Sequence, residues 1–376
     1  MKIAVNTRLL LKDKLEGIGW FTYETMRRIV ASHPEHTFYF IFDRNYDERF
    51  IFSDNVKPVM TFPPARHPYL WYVYFDYSIP YVLRKLKPDL FLSPDGWLSL
   101  RTDVPQVDVI HDLNFEHQSD FLSAKYQNYY VKNFPKFARK AARIATVSQF
   151  SKNDICTLYQ IPEDRVDVVY NGSNELFAPI SMEEQLKIRA RYAFGCEYFL
   201  FVSAIHKRKN LANILRAFEA LKNHTDTDLK FVVVGARGGL QDDVDSVLSK
   251  MKHADDVRFT GHLSSPELAA VTASARALVY ASLFEGFGIP IVEAFHAETA
   301  VITSNVTSMP EVAGDAALLV DPLSVEQIEE AMRKLALDDD LRCRLIEKGR
   351  IQRQNFSWDR SAQLLWNCVE QVLSFT

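Results

Sequence analysis

E-G-F-G-I-P-I-V-E, from Glu285 to Glu293, follows the apolar run Ala277–Ala281 through the short loop Ser282-Leu283-Phe284. A buried strand, a glycine loop and a proline-opened helix form one βα unit. Pro290 sits where a helix's first turn needs no amide donor. Gly286 and Gly288 let the backbone come close to a ligand. The unpaired amides of the helix start can bind phosphate oxygens. Glu285 falls in the loop and Glu293 about one turn into the helix, so both carboxylates can serve one crevice and accept hydrogen bonds from sugar or ribose hydroxyls. The alternative for the same residues is a glycine-rich turn with a helix-capping glutamate.

The βα pattern extends outward from this segment in both directions. Candidate strands in the first half are Lys2–Asn6, Thr37–Phe42, Val56–Thr61, Asp89–Ser93, Val107–Ile110, Ile144–Val147 and Val166–Tyr170. In the second half they are Tyr198–Ser203, Lys230–Gly235, Val257–Gly261, Ala277–Ala281, Ala300–Ser304 and Ala317–Val320. Several are nearly continuous apolar runs, as in parallel strands covered on both faces. The stretches between carry helical spacing, for example Leu211–Leu221 and Val325–Leu335. Alternating strand and helix over 376 residues predicts two doubly wound α/β domains. The expected division is 1–172 and 173–356, with a last helix, Trp358–Leu373, in the segment 357–376. Ligands of such sheets bind at the carboxyl ends of the strands.

Composition is ordinary: 47% hydrophobic, 24% charged, net charge −4. Nothing there draws the chain to nucleic acid, so any anion site is local. Cys156, Cys196, Cys343 and Cys368 share no metal-ligand spacing and read as scattered reduced thiols. The apolar run at the N-terminus is too short for a signal peptide, and no run is long enough for a transmembrane helix. A cytoplasmic location is expected.

The Glu285–Glu293 segment resembles the E-x7-E signature of family-4 retaining glycosyltransferases. V-R-F-T-G-H-L (Val257–Leu263) and S-M-P-E-V-A-G-D-A-A-L-L-V-D-P (Ser308–Pro322) support the resemblance. It implies the GT-B fold: two facing Rossmann-like domains, a cleft between them, and a C-terminal helix crossing back to the first. It implies that Glu285, Gly286, Phe287, Gly288 and Ile289 contact the donor sugar and phosphates, that Glu293 contacts the ribose, and that His262 belongs to the donor site.

A departing nucleoside diphosphate needs positive charge, which fixed cations and amide dipoles supply without metal. His206-Lys207-Arg208-Lys209-Asn210 follows strand Tyr198–Ser203 at its carboxyl end. A solvated basic turn is the usual fate of such runs, but the position favours function. By resemblance, Lys209 is the phosphate-binding lysine. Many relatives carry Gly-Arg slightly earlier, where this chain has Ser203-Ala204, so Arg208 is the candidate replacement. No metal or other cofactor is expected. Asp226-Thr-Asp228 precedes its strand and reads as a surface loop.

In the first half, Gly17-Ile-Gly19 opens the helix Trp20–Ile29. A plain turn is an equally good reading, whereas the resemblance brings Gly17 and Gly19 to the donor phosphates. His111-Asp112-Leu113 ends a strand, and the resemblance sets His111 beside the donor sugar. Ser148 is a turn or helix-cap residue.

Lys125, Lys132, Lys136, Arg139, Lys140 and Arg143 fall on one side of a helical wheel over residues 123–143, opposite Tyr130, Phe134, Phe137 and Ala141. A core-packed helix with a solvated basic face is one reading. Peripheral contact with the inner membrane surface or a lipid-linked acceptor is the other. The aromatic run Tyr69–Tyr81 joins either.

The resemblance therefore implies a retaining glycosyltransferase that moves a hexose from a GDP- or UDP-linked donor to a glycan or lipid-linked acceptor, and the lack of an outstanding carboxylate nucleophile in the first half favours front-face attack. His111, Lys209 and Glu285 carry the chemistry in this reading. R-K-N and H-D-L point to a mannosyltransferase-like branch. A nucleotide-sugar epimerase of the same fold and a non-catalytic nucleotide-sugar-binding protein are the alternatives.

Overall fold

A computed structural model of the chain describes residues 1–12, 15–117, 122–236 and 243–374. The chain divides into two compact units, Met1–Asn171 with Ser357–Thr376, and Gly172–Phe356. The division falls between Asn171 and Gly172.

The first unit is built on a seven-stranded parallel sheet. Its strands are β1 (Lys2–Asn6), β2 (Thr37–Phe42), β3 (Val56–Met60), β4 (Leu90–Ser93), β5 (Gln106–Val109), β6 (Arg143–Thr146) and β7 (Val166–Val168). They lie in the order β3-β2-β1-β4-β5-β6-β7. The second unit has six parallel strands: β8 (Tyr198–Val202), β9 (Lys230–Val234), β10 (Val257–Gly261), β11 (Ala277–Tyr280), β12 (Ala300–Ser304) and β13 (Ala317–Val320). Their order is β10-β9-β8-β11-β12-β13. All thirteen expected strands form, with ends shifted by a residue or two. The central strands are apolar at nearly every position because helices cover both faces; β4, β11 and β12 are buried throughout. In each unit the order reverses beside the first strand, between β1 and β4 and between β8 and β11. Crevices open at such reversals, at the carboxyl ends of the strands.

The last helix, Trp358–Leu373, buries Trp358, Leu365, Trp366 and Val369 in the first unit. It packs on the helix Gly17–Ser32 and on β4 to β7. Trp366 stacks on His33 with ring centroids 3.9 Å apart, and Ser361 Oγ donates to Tyr170 O.

Two local expectations are corrected. The helix read over 123–143 is Ala124–Lys140. Ala141 turns to ψ 131°, and Arg143 enters β6, where its guanidinium pairs with Asp167 on β7. The ladder claims that backbone, so Arg143 leaves the basic helical face. The helix expected at Trp20 begins three residues earlier, and Gly17 and Gly19 lie in its first turn. Among the described residues, no helix is long and apolar enough to cross a membrane.

Candidate functional site

The loops leaving β8 and β11 meet at the reversal of the second sheet. Lys207–Lys209 form one 3-10 turn, capped by His206, whose Nδ1 accepts the Arg208 N–H at 3.2 Å. Asn210, at φ 61°, ends the turn and donates through Nδ2 to Ala281 O (2.9 Å) and Pro322 O (2.7 Å). The Leu283 N–H donates to Arg208 O at 2.8 Å. The basic loop is thereby stitched to the glutamate loop through its backbone.

Charges complete the junction. Lys209 Nζ lies 2.6 Å from Glu285 Oε1, and Arg208 NH1 lies 3.0 Å from Oε2. Arg208 NH1 also donates to Phe284 O at 2.8 Å, and Lys209 Nζ to Tyr280 OH at 2.9 Å. Glu285 is 6% exposed. Burial works to raise its pKa, but Arg208 and Lys209 outweigh that and hold it near 2. Glu285 is thus a permanent anion between two cations, unable to act as an acid at neutral pH. Tyr280 is raised well above its ordinary value, by burial first and by Glu285 second, and remains a neutral phenol.

The rest of the loop is pinned from β12's exit. Ser308 Oγ contacts Glu285 O at 2.9 Å and Phe287 O at 3.1 Å, and Thr307 Oγ1 accepts the Glu285 N–H at 3.3 Å. Phe287 is buried, edge-on to Phe356 at 5.5 Å. Its ring serves the core, leaving only its backbone for a ligand. Gly286 is buried, Ile289 is half-buried, and Gly288 caps the helix Ile289–His296 at φ 105°. Glu293 lies in that helix, half-buried, with no hydrogen-bond or ion-pair partner among the described residues. Burial alone raises its pKa to about 8. His262 is exposed, just past β10.

Gly17, Gly19 and His111 belong to the first unit. Gly17 is exposed; Gly19 is buried, and a Cβ there would stand 3.0 Å from Leu9 O. Close packing of the helix on the Leu9 backbone therefore accounts for Gly19. His111 follows β5, half-buried, with its ring edge-on to Phe21 at 5.0 Å. Its Nε2–H donates to Pro94 O at 2.8 Å, which fixes Nδ1 as the acceptor nitrogen. Burial lowers the His111 pKa against the pull of Pro94 O, Asp112 and Asp95. The ring is neutral at pH 7, and Nδ1 has no partner among the described residues. Ser151 Oγ donates to His111 O at 3.3 Å. Asp112 accepts from the Asn114 N–H at 3.0 Å and is a turn residue. Ser148 caps the helix Gln149–Tyr159.

The sequence pattern of Glycosyltransferase Family 4 matches residues 15–175, and that of Glycosyl transferases group 1 matches residues 185–352. The chain is a family-4 glycosyltransferase. The enzyme is 29% identical over 295 residues to O-antigen chain mannosyltransferase B of Escherichia coli, covering 78% of this chain and 75% of that one. Sucrose-phosphate synthase from Thermosynechococcus elongatus superimposes with TM-score 0.81 at 15% identity, over the whole of both chains. Anabaena Alr3699/HepE, solved with UDP and glucose, superimposes with TM-score 0.75 at 15% identity, over 98% of this chain and 99% of that one. These likenesses show the GT-B fold.

The glycosyltransferase's structure thus gathers Arg208, Lys209, Glu285, Gly286, Phe287 and Gly288 around one loop junction. Sequence reasoning passed over Tyr280, Thr307 and Ser308, which hold that junction. Tyr280 ends an apolar run and reads as core; Ser308 stood inside the quoted S-M-P-E-V without a role. Arg8 was also missed. It is 5% exposed, stacks over Trp97 at 4.3 Å, and lies 2.6 Å from Asp95, the residue that follows the Pro94 whose carbonyl orients His111. Among the described residues, one group offers three metal-ligand atoms close together: His33, Glu35 and His36. It lies in the turn before β2, away from the Glu285 junction in sequence and sheet.

Proposed function

We propose that the enzyme transfers a mannosyl group from a nucleoside-diphosphate sugar to a hydroxyl of a glycan acceptor, free or lipid-linked, with retention at the anomeric carbon. The observation that carries this reading is the buried Glu285 gripped by Lys209 and Arg208 where the carboxyl ends of β8 and β11 diverge. Two fixed cations and a helix start at that place suit a diphosphate. The sugar is taken from the name of the E. coli relative. The nucleotide is GDP or UDP, the latter suggested by the ligand of the Anabaena protein.

In this mechanism the anomeric C–O bond to the diphosphate breaks, and the acceptor oxygen bonds to the anomeric carbon on the same face. The acceptor's proton passes to the departing phosphate oxygen. Lys209 and Arg208 stabilise the charge that develops on the leaving group in a buried setting, where fixed charges act most strongly. Glu285, always ionised, accepts sugar hydroxyls and keeps both cations in place. Glu293, with no partner among the described residues, accepts ribose hydroxyls. His111 offers Nδ1 to a sugar hydroxyl. No step needs a metal.

Incubation with GDP-mannose and, separately, UDP-glucose, with and without a manno-oligosaccharide acceptor, tests the reading. A product with the donor's anomeric configuration is expected only when acceptor is present. Isomerised donor in the absence of acceptor, or binding without turnover across an acceptor panel, would overturn it.

A further inference from the structure

Residues Pro68–Leu86 run as one continuous helical rod: α over Pro68–Val73, π over Tyr74–Ser78, α again over Ile79–Leu86. Its inner face is an ordinary core face, with Trp71, Tyr74, Phe75, Ile79, Val82 and Leu83 buried. Its outer face is not ordinary. Tyr69, Val73, Tyr77 and Tyr81 recur every fourth residue and are 69%, 42%, 57% and 63% exposed. Phe62 adjoins them at 61% exposure, its carbonyl accepting from the Ser78 hydroxyl. Scattered exposed apolar side chains need no explanation, but an aligned stripe of them marks an interaction surface.

The stripe carries positive charge on its rings. Lys125 Nζ sits 4.6 Å above the Tyr69 ring, and Arg101 Cζ sits 4.5 Å above that of Tyr77. Both cations are exposed, and neither has an ion-pair partner among the described residues. Arg84 and Lys85 extend the charge along the rod itself. Asp76, half-buried on the rod, is the acid that faces this group, toward Arg101 and Lys136.

Two occupants have suitable chemistry. A row of exposed tyrosines can stack on pyranose rings, but here cations already cover two of the ring faces, and a neutral glycan gives their charge nothing to meet. A bilayer surface matches both features: phenols and a valine at the headgroup boundary, and ammonium and guanidinium groups against anionic phosphates. We infer that the Tyr69–Tyr81 stripe, with Lys125 and Arg101, docks this unit on an anionic lipid bilayer. The inference goes beyond the proposed reaction and stands independently of the donor.

Co-sedimentation of the full chain with vesicles of phosphatidylglycerol and phosphatidylethanolamine tests it, with phosphatidylcholine vesicles as the neutral control. Wild-type protein should pellet with the anionic vesicles and be released by salt. At about fivefold per surface cation, Lys125→Glu with Arg101→Glu should weaken binding by roughly twentyfold or more. Tyr69→Ser with Tyr77→Ser and Tyr81→Ser should weaken it comparably. All these positions are exposed, so the variants should keep the wild-type Tm and full transfer to a soluble acceptor, a readout that tests the transferase reading separately. Failure to pellet at low salt overturns the inference, as does equal pelleting of wild type and variants. Binding of a soluble manno-oligosaccharide that the tyrosine variant abolishes, without vesicle binding, would make the stripe a glycan platform instead.

Discussion

Lys209 and Glu285, 76 positions apart in sequence, form a 2.6 Å ion pair at the buried junction of the β8 and β11 loops. The pairing keeps the carboxylate ionised and holds the ammonium at the carboxyl ends of the strands.

Loss of the ammonium should therefore act on the chemical step. Lys209→Ala is expected to lower kcat by about 10²–10³, the usual effect of removing one fixed donor to developing charge. Arg208 still pairs with Glu285, so the fold should persist. Steady-state kinetics at saturating donor, with circular dichroism as the fold control, measure both. Unchanged kcat would remove Lys209 from the mechanism.

Glu285 also sets an acid limit on stability. Its native pKa lies near 2, below its ordinary 4.5. Between those values the unfolded chain binds the extra proton, so the stabilisation is full above the ordinary value and fades as pH falls toward 2. Glu285→Gln lacks this dependence. The Tm difference between wild type and the variant should shrink as pH is lowered from about 5 to about 2.

Glu293 has the opposite sign. Its native pKa is raised to about 8 from 4.5, so the folded protein holds a proton that the unfolded chain has released. Stability from this group is full below its ordinary pKa and declines as pH rises toward 8. Relative to wild type, Glu293→Gln should gain stability over that window in urea titrations. Hydroxyls bound to the carboxylate favour its ionised form, so donor binding at pH 7 should release a proton. Calorimetry in buffers of different ionisation enthalpy would show it, and the Gln variant should release none.

Ser308→Ala removes the hydroxyl that contacts both Glu285 O and Phe287 O. A buried carbonyl left without its partner costs about 1–3 kcal/mol. The loop that presents Glu285 would loosen, so kcat should fall and donor KM should rise while Ser308→Thr retains part of both. A change in stability alone would limit Ser308 to a structural role.

Gly235 has φ 147°, and a Cβ there would lie 1.8 Å from Ser203 O. The backbones leaving β8 and β9 approach too closely for any side chain. Gly235→Ala should cost about 3 kcal/mol or more through backbone strain and displacement, measured as a lower urea midpoint. A variant as stable as wild type would show that the Ser203–Ala204 backbone moves aside freely.

The strands were legible because period and apolar content report what each backbone segment buries. β8, β9 and β11 to β13 show as runs rich in Val, Leu, Ile, Phe and Ala between loops, and the Pro290-opened helix announces itself by its first turn. The junction was partly legible: E-G-F-G and H-K-R-K-N each stand at a strand's exit. Their pairing was not, because Lys209 and Glu285 carry no mutual periodicity. Tyr280 was hidden by its apolar neighbours in β11. Thr307, at φ 58°, does not look like a turn residue, since β-branched residues seldom take that conformation. Gly17-Ile-Gly19 reads equally well as a plain turn, since glycine lowers helix propensity; the packing of Gly19 on the Leu9 backbone and of Phe21 on Trp358 overrides it.

Because Trp358–Leu373 seals a sheet laid down by the first 171 residues, synthesis and folding run in different orders. The amino-terminal half emerges first but keeps an apolar face open while Gly172–Phe356 is translated. The later-made half can close before the earlier one is finished. A ribosome-stalled chain ending near Phe356 should therefore bind hydrophobic dyes and chaperones through its oldest residues, and lose that binding once the final helix is released.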